Sequence, residues 1–202
     1  ITKDMVFDKL SSKEKKIKYF QHVQLHYPIF FKLQNFKLLK IAKKLLNQDV
    51  YFCSMGLHNK GPRKGSVTPF HQDNFFNCKK PPFELTAYIP LENQSSINGQ
   101  ITYVKKSHRL GVLKHVGSKM KAFSGTIEDK SVVEPKKIFR ANLKPGDVIF
   151  HHTNVIHGAD MNKSKYKTRF SVAVSIIGIK AKIDKKQQKI YRHFLKANRS
   201  AN

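Results

Sequence analysis

Residues 68–76 read TPFHQDNFF and place an H-x-D triplet between aromatic side chains. Within this stretch His71 and Asp73 are two residues apart, so on a β-strand their side chains point to the same face. His157 supplies a second imidazole from a distant segment that also reads as the end of a strand. Two imidazoles and one carboxylate can hold a non-haem Fe(II) ion and leave its other coordination positions open. We therefore take these three residues as candidate metal ligands.

The segments that flank His157 have the pattern of strands and turns. Residues 142–152 read NLKPGDVIFHH, a Pro-Gly turn followed by an apolar strand. Arg169 comes twelve residues after His157 and opens the β-branched run FSVAVSII at residues 170–177. Its planar guanidinium group is suited to binding a carboxylate through two parallel hydrogen bonds. The sequence thus predicts a metal site and an anion-binding group on neighbouring strands.

Three further motifs lie between these segments: LTAYIPL at residues 85–91, SINGQI at 96–101 and KSHR at 106–109. With the H-x-D triplet, His157 and Arg169, this arrangement resembles the phytanoyl-CoA dioxygenase family of Fe(II)/2-oxoglutarate-dependent oxygenases. The resemblance covers roughly residues 50–179. In the last motif Lys106 stands where the family has glycine.

The resemblance implies a mainly β fold with flanking α-helices, namely a double-stranded β-helix of the jelly-roll or cupin-like kind. It also implies Fe(II) and 2-oxoglutarate as cofactors, with O2 hydroxylating a small organic substrate and succinate and CO2 released. Halogenating relatives have a small residue in place of Asp73, so hydroxylation is the expected reaction. The site residues that it implies are His71, Asp73 and His157 for iron, and Arg169, Tyr88 and His58 for the cosubstrate. The family often has Ser or Thr where this chain has Ala159, which cannot hydrogen-bond the cosubstrate.

Several alternatives remain open at the level of sequence. Two imidazoles and a carboxylate also serve hydrolytic zinc, although zinc hydrolysis has no need of Arg169. His151 and His152 are alternatives to His157 as metal ligands, and we assign them core or supporting roles. Tyr88 is equally well explained as a core aromatic residue, and His58 as an ordinary strand residue.

The rest of the chain fits the same architecture. A length of 202 residues matches one domain. We expect a helical N-terminal part at 1–48, a β-helix core at 50–179 and a C-terminal helix at 183–198. Within the first part we predict a helix over 13–27. A second, amphipathic helix over 30–46 is expected to pack on the domain rather than on a membrane. Residues 111–136 are predicted to form a loop region over the mouth of the barrel.

The net charge of +26 comes from 39 basic and 13 acidic residues, and most of the basic residues are lysine. One interpretation is a nucleic-acid partner, because positive charge attracts polyanions over long distances. Another is coding bias in an AT-rich genome, and a third is steering of a small anionic substrate. The lysines are scattered and form no known nucleic-acid-binding motif. Some of them, such as Lys60, lie in loops near the proposed site and could contact an anionic group of the substrate, although a solvated charged surface is the commoner explanation. We therefore favour coding bias and a small, anionic substrate, with nucleic-acid binding or modification as the alternative function.

Cysteine content and hydropathy bear on the location of the protein. No apolar run approaches the roughly 20 residues that cross a bilayer, and residues 1–5 lack the apolar segment of a signal peptide. Cys53 and Cys78 form no C-x-x-C motif. We therefore expect no membrane span, no disulfide framework and a reducing, cytoplasmic environment.

Overall fold

The computed structural model describes residues 3–9, 15–33, 36–63, 67–118 and 125–199. The strands in these ranges are β1 (Met5–Lys9), β2 (Lys15–Gln21), β3 (Val50–Asn59), β4 (Thr68–His71), β5 (Lys79–Lys80), β6 (Glu84–Pro90), β7 (Ile101–Val104), β8 (His115–Gly117), β9 (Gly125–Ile127), β10 (Ile138–Arg140), β11 (Ile149–His152), β12 (His157–Ala159), β13 (Phe170–Gly178) and β14 (Lys182–Ile183). The helices are α1 (Val23–His26), α2 (Phe36–Leu46), α3 (Asp73–Asn77) and α4 (Lys185–Arg199). Short 3-10 turns occupy Pro28–Leu33, Ser107–Leu110, Lys130–Val132 and Pro135–Lys137.

Two antiparallel sheets form the body of the protein. The major sheet has the strand order β1-β2-β3-β13-β6-β11, and the minor sheet has the order β10-β7-β12-β4. Two small pairs, β14-β5 and β8-β9, lie outside them. This mainly β architecture is the predicted jelly roll.

The central strand β13 separates the hydrophobic core from the cavity that holds the candidate site. Val172, Val174 and Ile176 are buried in the core cluster, together with Ala42 of α2. Burial of each such aliphatic side chain contributes about 1.5–3 kcal/mol. The alternate residues, such as Ser171 and Ser175, face the opposite side. A slip of one residue in register would exchange the two faces, so the core also fixes which side chains reach the site.

The helix predicted over residues 13–27 is wrong. Residues Lys15–Gln21 form β2, which pairs with β3, and only Val23–His26 is helical. Pairing with β3 places Phe20 in the core, whereas the neighbouring Tyr19 lines the cavity. The local sequence of 13–27 suggested a helix, but local helix propensity is weak compared with hydrogen bonds to an open sheet edge and burial of Phe20.

The C-terminal helix lies where the sequence indicated it, whereas the second N-terminal helix is shorter than the predicted range of 30–46. Its α-helical part is Phe36–Leu46, and Pro28–Leu33 is a 3-10 turn. The apolar face of α2 packs on the major sheet through Leu38, Leu39 and Ala42. At the other end of the chain, Phe194 of α4 contacts Phe75 of α3, with ring centroids 5.1 Å apart. None of the helices in the described ranges is long and apolar enough to cross a membrane.

The region predicted as a loop over the barrel mouth contains short regular elements. β8 and β9 pair with each other, and two 3-10 turns follow them. His115 of β8 is buried, and its Nε2 accepts a hydrogen bond of 3.1 Å from the backbone of Gln72. Residues 119–124 of this region lie outside the described part of the chain. Strand β8 thus holds Gln72, the residue between the candidate ligands His71 and Asp73, through the ring of His115.

Candidate metal centre and active site

Strand pairing brings the two candidate histidine ligands together. His71 is the last residue of β4, His157 is the first of β12, and the two are partners in the register of the minor sheet. Their ring centroids are 4.3 Å apart. The sequence suggested that Asp73 lies on the same strand as His71. In the structure Asp73 is instead the first residue of α3. The chain turns between them, and the Asp73 carboxylate still faces both rings, with Oδ1 3.8 Å from Nε2 of His71 and 3.6 Å from Nε2 of His157.

Backbone carbonyl groups determine which nitrogen of each ring faces Asp73. Nδ1 of His71 donates to the carbonyl of Pro69 at 2.8 Å, and Nδ1 of His157 donates to the carbonyl of Val155 at 3.1 Å. Because a carbonyl oxygen only accepts, the ring proton sits on Nδ1 in both residues. Each Nε2 therefore presents its lone pair to the space in front of Asp73, as a metal ligand does.

The electrostatics of the three residues also suit a divalent cation. Burial lowers the pKa of both His71 and His157 to about 4, so their rings are neutral at pH 7. Burial alone would raise the pKa of Asp73, but attraction to His157 and hydrogen bonding with His151 hold it well below its usual range. The ligand atoms of the three residues all lie within 4.8 Å of one another. Neutral imidazole nitrogens with an ionised carboxylate are donors that fit Fe(II) or zinc.

A second set of hydrogen bonds holds the Asp73 carboxylate in place. Its Oδ2 accepts from the hydroxyl of Thr86 at 3.0 Å and from Nε2 of His151 at 3.2 Å. Nδ1 of His151 lies 3.0 Å from the hydroxyl of Tyr103. Since these contacts occupy Oδ2, Oδ1 is left facing the two ligand histidines. His151 thus contacts Asp73 and lies outside the group of three candidate ligands.

His152, the other alternative ligand, has a different environment. Its Nδ1 accepts a hydrogen bond of 3.1 Å from the backbone of Asn154, and its ring lies 5.6 Å from that of His108. Burial lowers its pKa. These contacts place His152 in the turn that leads to His157.

Arg169 is a buried cation for which the described residues offer no counter-ion. It is 4% exposed, and Nη1 donates to the hydroxyl of Tyr88 at 2.8 Å and to Oγ of Ser171 at 2.9 Å. Its Nε has no hydrogen-bond partner, and no ion pair joins it to a carboxylate in the described part of the chain. A buried charge without a partner is costly, so this arrangement favours binding of an anionic group.

One cavity contains all six residues that the sequence assigned to the metal and the cosubstrate. Its volume is about 310 Å³, and its lining includes His58, His71, Asp73, Tyr88, His157 and Arg169. Burial and the charge of Arg169 lower the pKa of His58 to about 3, so this ring is neutral. The His58 ring packs against Tyr19, with centroids 4.6 Å apart. The cavity therefore joins the three candidate metal ligands to the unpaired guanidinium group.

Several residues of the site were missed or misread in the sequence. Thr86 and Ser171 were not singled out. Alternation with period two along a strand could have indicated both, because Thr86 is two residues from Tyr88 and Ser171 is two residues from Arg169. Lys60 was predicted to be a loop residue that could contact the substrate. It is buried instead, and its Nζ donates to the carbonyls of Ala159 at 3.3 Å and Asp160 at 2.6 Å. Burial lowers its pKa to about 6.

Comparisons with known proteins support the motif-based resemblance. The chain is 30% identical over 118 residues to a probable phytanoyl-CoA dioxygenase of Caenorhabditis elegans, covering 54% of this chain and 37% of that protein. It is 27% identical over 138 residues to the peroxisomal phytanoyl-CoA dioxygenase of Homo sapiens, covering 64% of this chain and 40% of that protein. The chain thus spans about two fifths of the length of these curated relatives.

A solved structure has the same fold. EctD from S. alaskensis with bound Fe superposes with a TM-score of 0.73 at 20% identity, over 90% of this chain and 63% of EctD. The model of the phytanoyl-CoA dioxygenase (PhyH) family matches residues 2–171 of the 202 residues. This match covers most of the chain and includes both candidate histidine ligands, Asp73 and Arg169. The chain therefore belongs to the phytanoyl-CoA dioxygenase (PhyH) family.

Proposed function

We propose that this chain carries an Fe(II)- and 2-oxoglutarate-dependent dioxygenase, which hydroxylates a small organic substrate and releases succinate and CO2. One observation carries the proposal: the buried, unpaired guanidinium group of Arg169 shares a cavity with His71, Asp73 and His157. A ligand with a carboxylate at one end and chelating oxygens at the other would satisfy both parts of this cavity. The fold relative EctD has been solved with Fe, and also with 2-oxoglutarate and 5-hydroxyectoine.

We assign the side chains of the cavity to two roles, metal binding and cosubstrate binding. His71, Asp73 and His157 would hold Fe(II), and Arg169 would bind the distal carboxylate of 2-oxoglutarate through charge-assisted hydrogen bonds. Tyr88 orients the guanidinium group, while Thr86 and His151 orient the Asp73 carboxylate. When bound, Fe(II) supplies the oxidative chemistry that couples decarboxylation of 2-oxoglutarate to oxidation of the substrate by O2.

The support for an anionic substrate comes from the positive charge of the chain and not from the lining of the cavity. Arg169 is the only lysine or arginine among the described residues that line the cavity, and 2-oxoglutarate would occupy it. An anionic group of the substrate would therefore bind outside this lining, or be attracted by the long-range field of the basic surface. A cytoplasmic location is also part of the proposal, supported by the two free cysteines, Cys53 and Cys78.

Anaerobic titration with Fe(II) and 2-oxoglutarate tests the proposal. We expect the weak visible charge-transfer band of a 2-oxoglutarate chelate in the wild type. The Arg169→Ala variant should lose this band while still binding metal, and Arg192→Ala, which removes an exposed arginine of α4, should keep it. Bound Fe(II) without the band would contradict the proposal and point to hydrolytic zinc chemistry.

Coupled turnover gives a second test of the metal ligands. Asp73→Ala should abolish succinate formation from 2-oxoglutarate, because it removes the only carboxylate of the candidate ligand group. Succinate formation at the wild-type rate in this variant would exclude the role proposed for Asp73.

A further inference from the structure

Four polar residues line the part of the cavity that lies beyond Asp73 as seen from Arg169. They are Ser54, Asn77, Thr86 and Ser175, and we call this part of the cavity the polar end. Ser175 pairs with Ser54 of β3 and with Thr86 of β6, so three hydroxyl groups lie in one row across the sheet. Asn77 is the last residue of α3, the helix that begins with Asp73. The polar end therefore lies next to the candidate metal ligands, six residues along the chain from Arg169.

A buried carboxylate underlies this end of the cavity. Glu84 is 2% exposed, and it lies two residues before Thr86 on β6, so both side chains point to the same face. Its Oε1 accepts a hydrogen bond from Oγ of Ser175 at 2.6 Å and another from Nδ2 of Asn77 at 2.9 Å. Its Oε2 has no hydrogen-bond partner among the described residues. Burial raises the pKa of Glu84.

These hydrogen bonds decide what the polar end offers to a ligand. A hydroxyl group has one proton, and Ser175 donates its proton to Glu84, while Thr86 donates its proton to Asp73. Both hydroxyl oxygens are thus left with lone pairs only. Because Asn77 turns Nδ2 to Glu84, its Oδ1 points away, and this oxygen has no partner in the described residues. Three of the four residues thus present acceptors, while the hydroxyl of Ser54 can donate or accept. No lysine or arginine is among the described residues of the polar end.

We propose that the polar end selects a substrate that presents a hydrogen-bond donor to it, specifically an ammonium group. Glu84 is the positioning residue that turns Ser175 and Asn77 into acceptors. This inference rests on the proposed function, because it assigns the substrate end of the same cavity. A hydroxyl group also donates, but it has a single proton, whereas an ammonium group has three and can satisfy several converging acceptors at once. A carboxylate or phosphate would meet lone pairs at three of the four residues, so any anionic part of the substrate lies elsewhere.

Binding of three matched probes, propylammonium, 1-propanol and propionate, tests this inference. Saturation-transfer NMR on the metal-free protein measures their affinities without requiring turnover or 2-oxoglutarate. The same titrations in Arg169→Gln remove binding of propionate to the guanidinium group. We expect propylammonium to bind at least about tenfold more tightly than propionate in this background, the effect of one charge-assisted hydrogen bond. Equal or tighter binding of propionate would overturn the proposal, and equal binding of 1-propanol would overturn the preference for an ammonium group.

Variants of Glu84 separate its positioning role from its charge. Glu84→Ala releases both donors and should weaken propylammonium binding at least about tenfold. Glu84→Gln should keep most of the affinity, because its amide oxygen accepts the same two hydrogen bonds. Glu134→Gln, which changes an exposed carboxylate, is the matched control and should leave binding unchanged. Equal losses in the Gln and Ala variants would refute the positioning role.

A further variant guards against misfolding. Circular dichroism shows whether Glu84→Ala folds. If it does not, Ser175→Ala takes its place, because it removes one acceptor directly and should weaken propylammonium binding. Unchanged affinity in Ser175→Ala would contradict the proposal. Failure of the proposed function itself is visible separately, as absence of the Fe(II)–2-oxoglutarate band, because the probe titrations need neither iron nor 2-oxoglutarate.

Discussion

The hydroxyl of Tyr88 lies 2.8 Å from Nη1 of Arg169 and donates its own proton to Oε1 of Gln94 at 3.0 Å. The hydroxyl oxygen therefore faces Arg169 as an acceptor. The ring of Tyr88 packs at the same time in a buried cluster with Ile101 and Tyr103. The two interpretations of Tyr88 in the sequence, core aromatic and partner of the cosubstrate site, are thus compatible, because ring and hydroxyl have different neighbours.

Loss of the Tyr88 hydroxyl should weaken the binding of 2-oxoglutarate. In Tyr88→Phe we expect the Kd for 2-oxoglutarate to rise about 5- to 10-fold, because one hydrogen bond of about 1 kcal/mol no longer orients Arg169. Anaerobic titration monitored by the visible band gives this Kd. Tyr166→Phe, at an exposed position, serves as the control. An unchanged Kd in Tyr88→Phe would mean that Ser171 alone suffices to orient the guanidinium group.

Removal of the His151 ring should weaken metal binding without removing a ligand. In His151→Leu, Oδ2 of Asp73 keeps only the hydrogen bond from Thr86, so the carboxylate is free to rotate. Changes of this kind typically cost about 10- to 100-fold in metal affinity. Competition with a metal chelator measures the change, and His193→Leu at an exposed site of α4 is the matched control. Wild-type affinity in His151→Leu would show that Asp73 needs no such support.

Stability of the metal-free protein should fall on acidification. Burial lowers the pKa of His71, His115 and His157 to about 4 and that of His58 to about 3. Between pH 6.5 and about 4 the unfolded state thus binds more protons than the folded state, so the free energy of unfolding rises with pH. The slope is up to about 1.4 kcal/mol per pH unit for each histidine. Asp73, whose pKa is lowered, adds nothing above pH 5, because its carboxylate is ionised in both states there. Below pH 5 it adds to the same fall in stability, since only the unfolded state begins to protonate it.

Urea unfolding at pH 7 and pH 5 measures this dependence. His115→Phe should flatten the slope, since it removes one of the four groups while leaving the candidate ligands intact. Identical unfolding free energies at the two pH values in the wild type would show that these rings are not held neutral by burial.

The close contact between β12 and β4 should make Gly158 sensitive to substitution. A Cβ atom at this position would lie 2.7 Å from the backbone carbonyl of Thr68. Gly158→Ala must therefore push β12 away from β4 and displace His157 from His71. We expect a loss of about 1–3 kcal/mol in unfolding free energy and weaker metal binding.

Gly61→Ala is the control for this substitution. A Cβ atom there meets nothing within 4 Å among the described residues. Denaturant unfolding and chelator competition should show little change in Gly61→Ala. Similar results for both variants would contradict a steric role of Gly158.

The errors made from the sequence share a cause. Residues 13–27 were predicted as a helix, yet Lys15–Gln21 form β2, because the edge of β3 provides hydrogen-bond partners and a place to bury Phe20. Lys60 was predicted as a possible substrate contact, yet its Nζ donates hydrogen bonds to two backbone carbonyls. In both cases the decisive partner lies about forty to one hundred residues away, beyond the reach of a local pattern.

The amino-acid sequence by itself determined the chemical types of the candidate site and the class of fold. The H-x-D triplet at 71–73, His157, Arg169 and the alternating run at 170–177 are recognisable because residue type, spacing and period are properties of the chain alone. Tertiary structure decided the rest. It placed His157 against His71, turned Asp73 into the start of a helix, directed His151 to Asp73 and made acceptors of Ser175 and Asn77 through Glu84. These relations depend on strand register, where a shift of one residue exchanges the faces of a sheet.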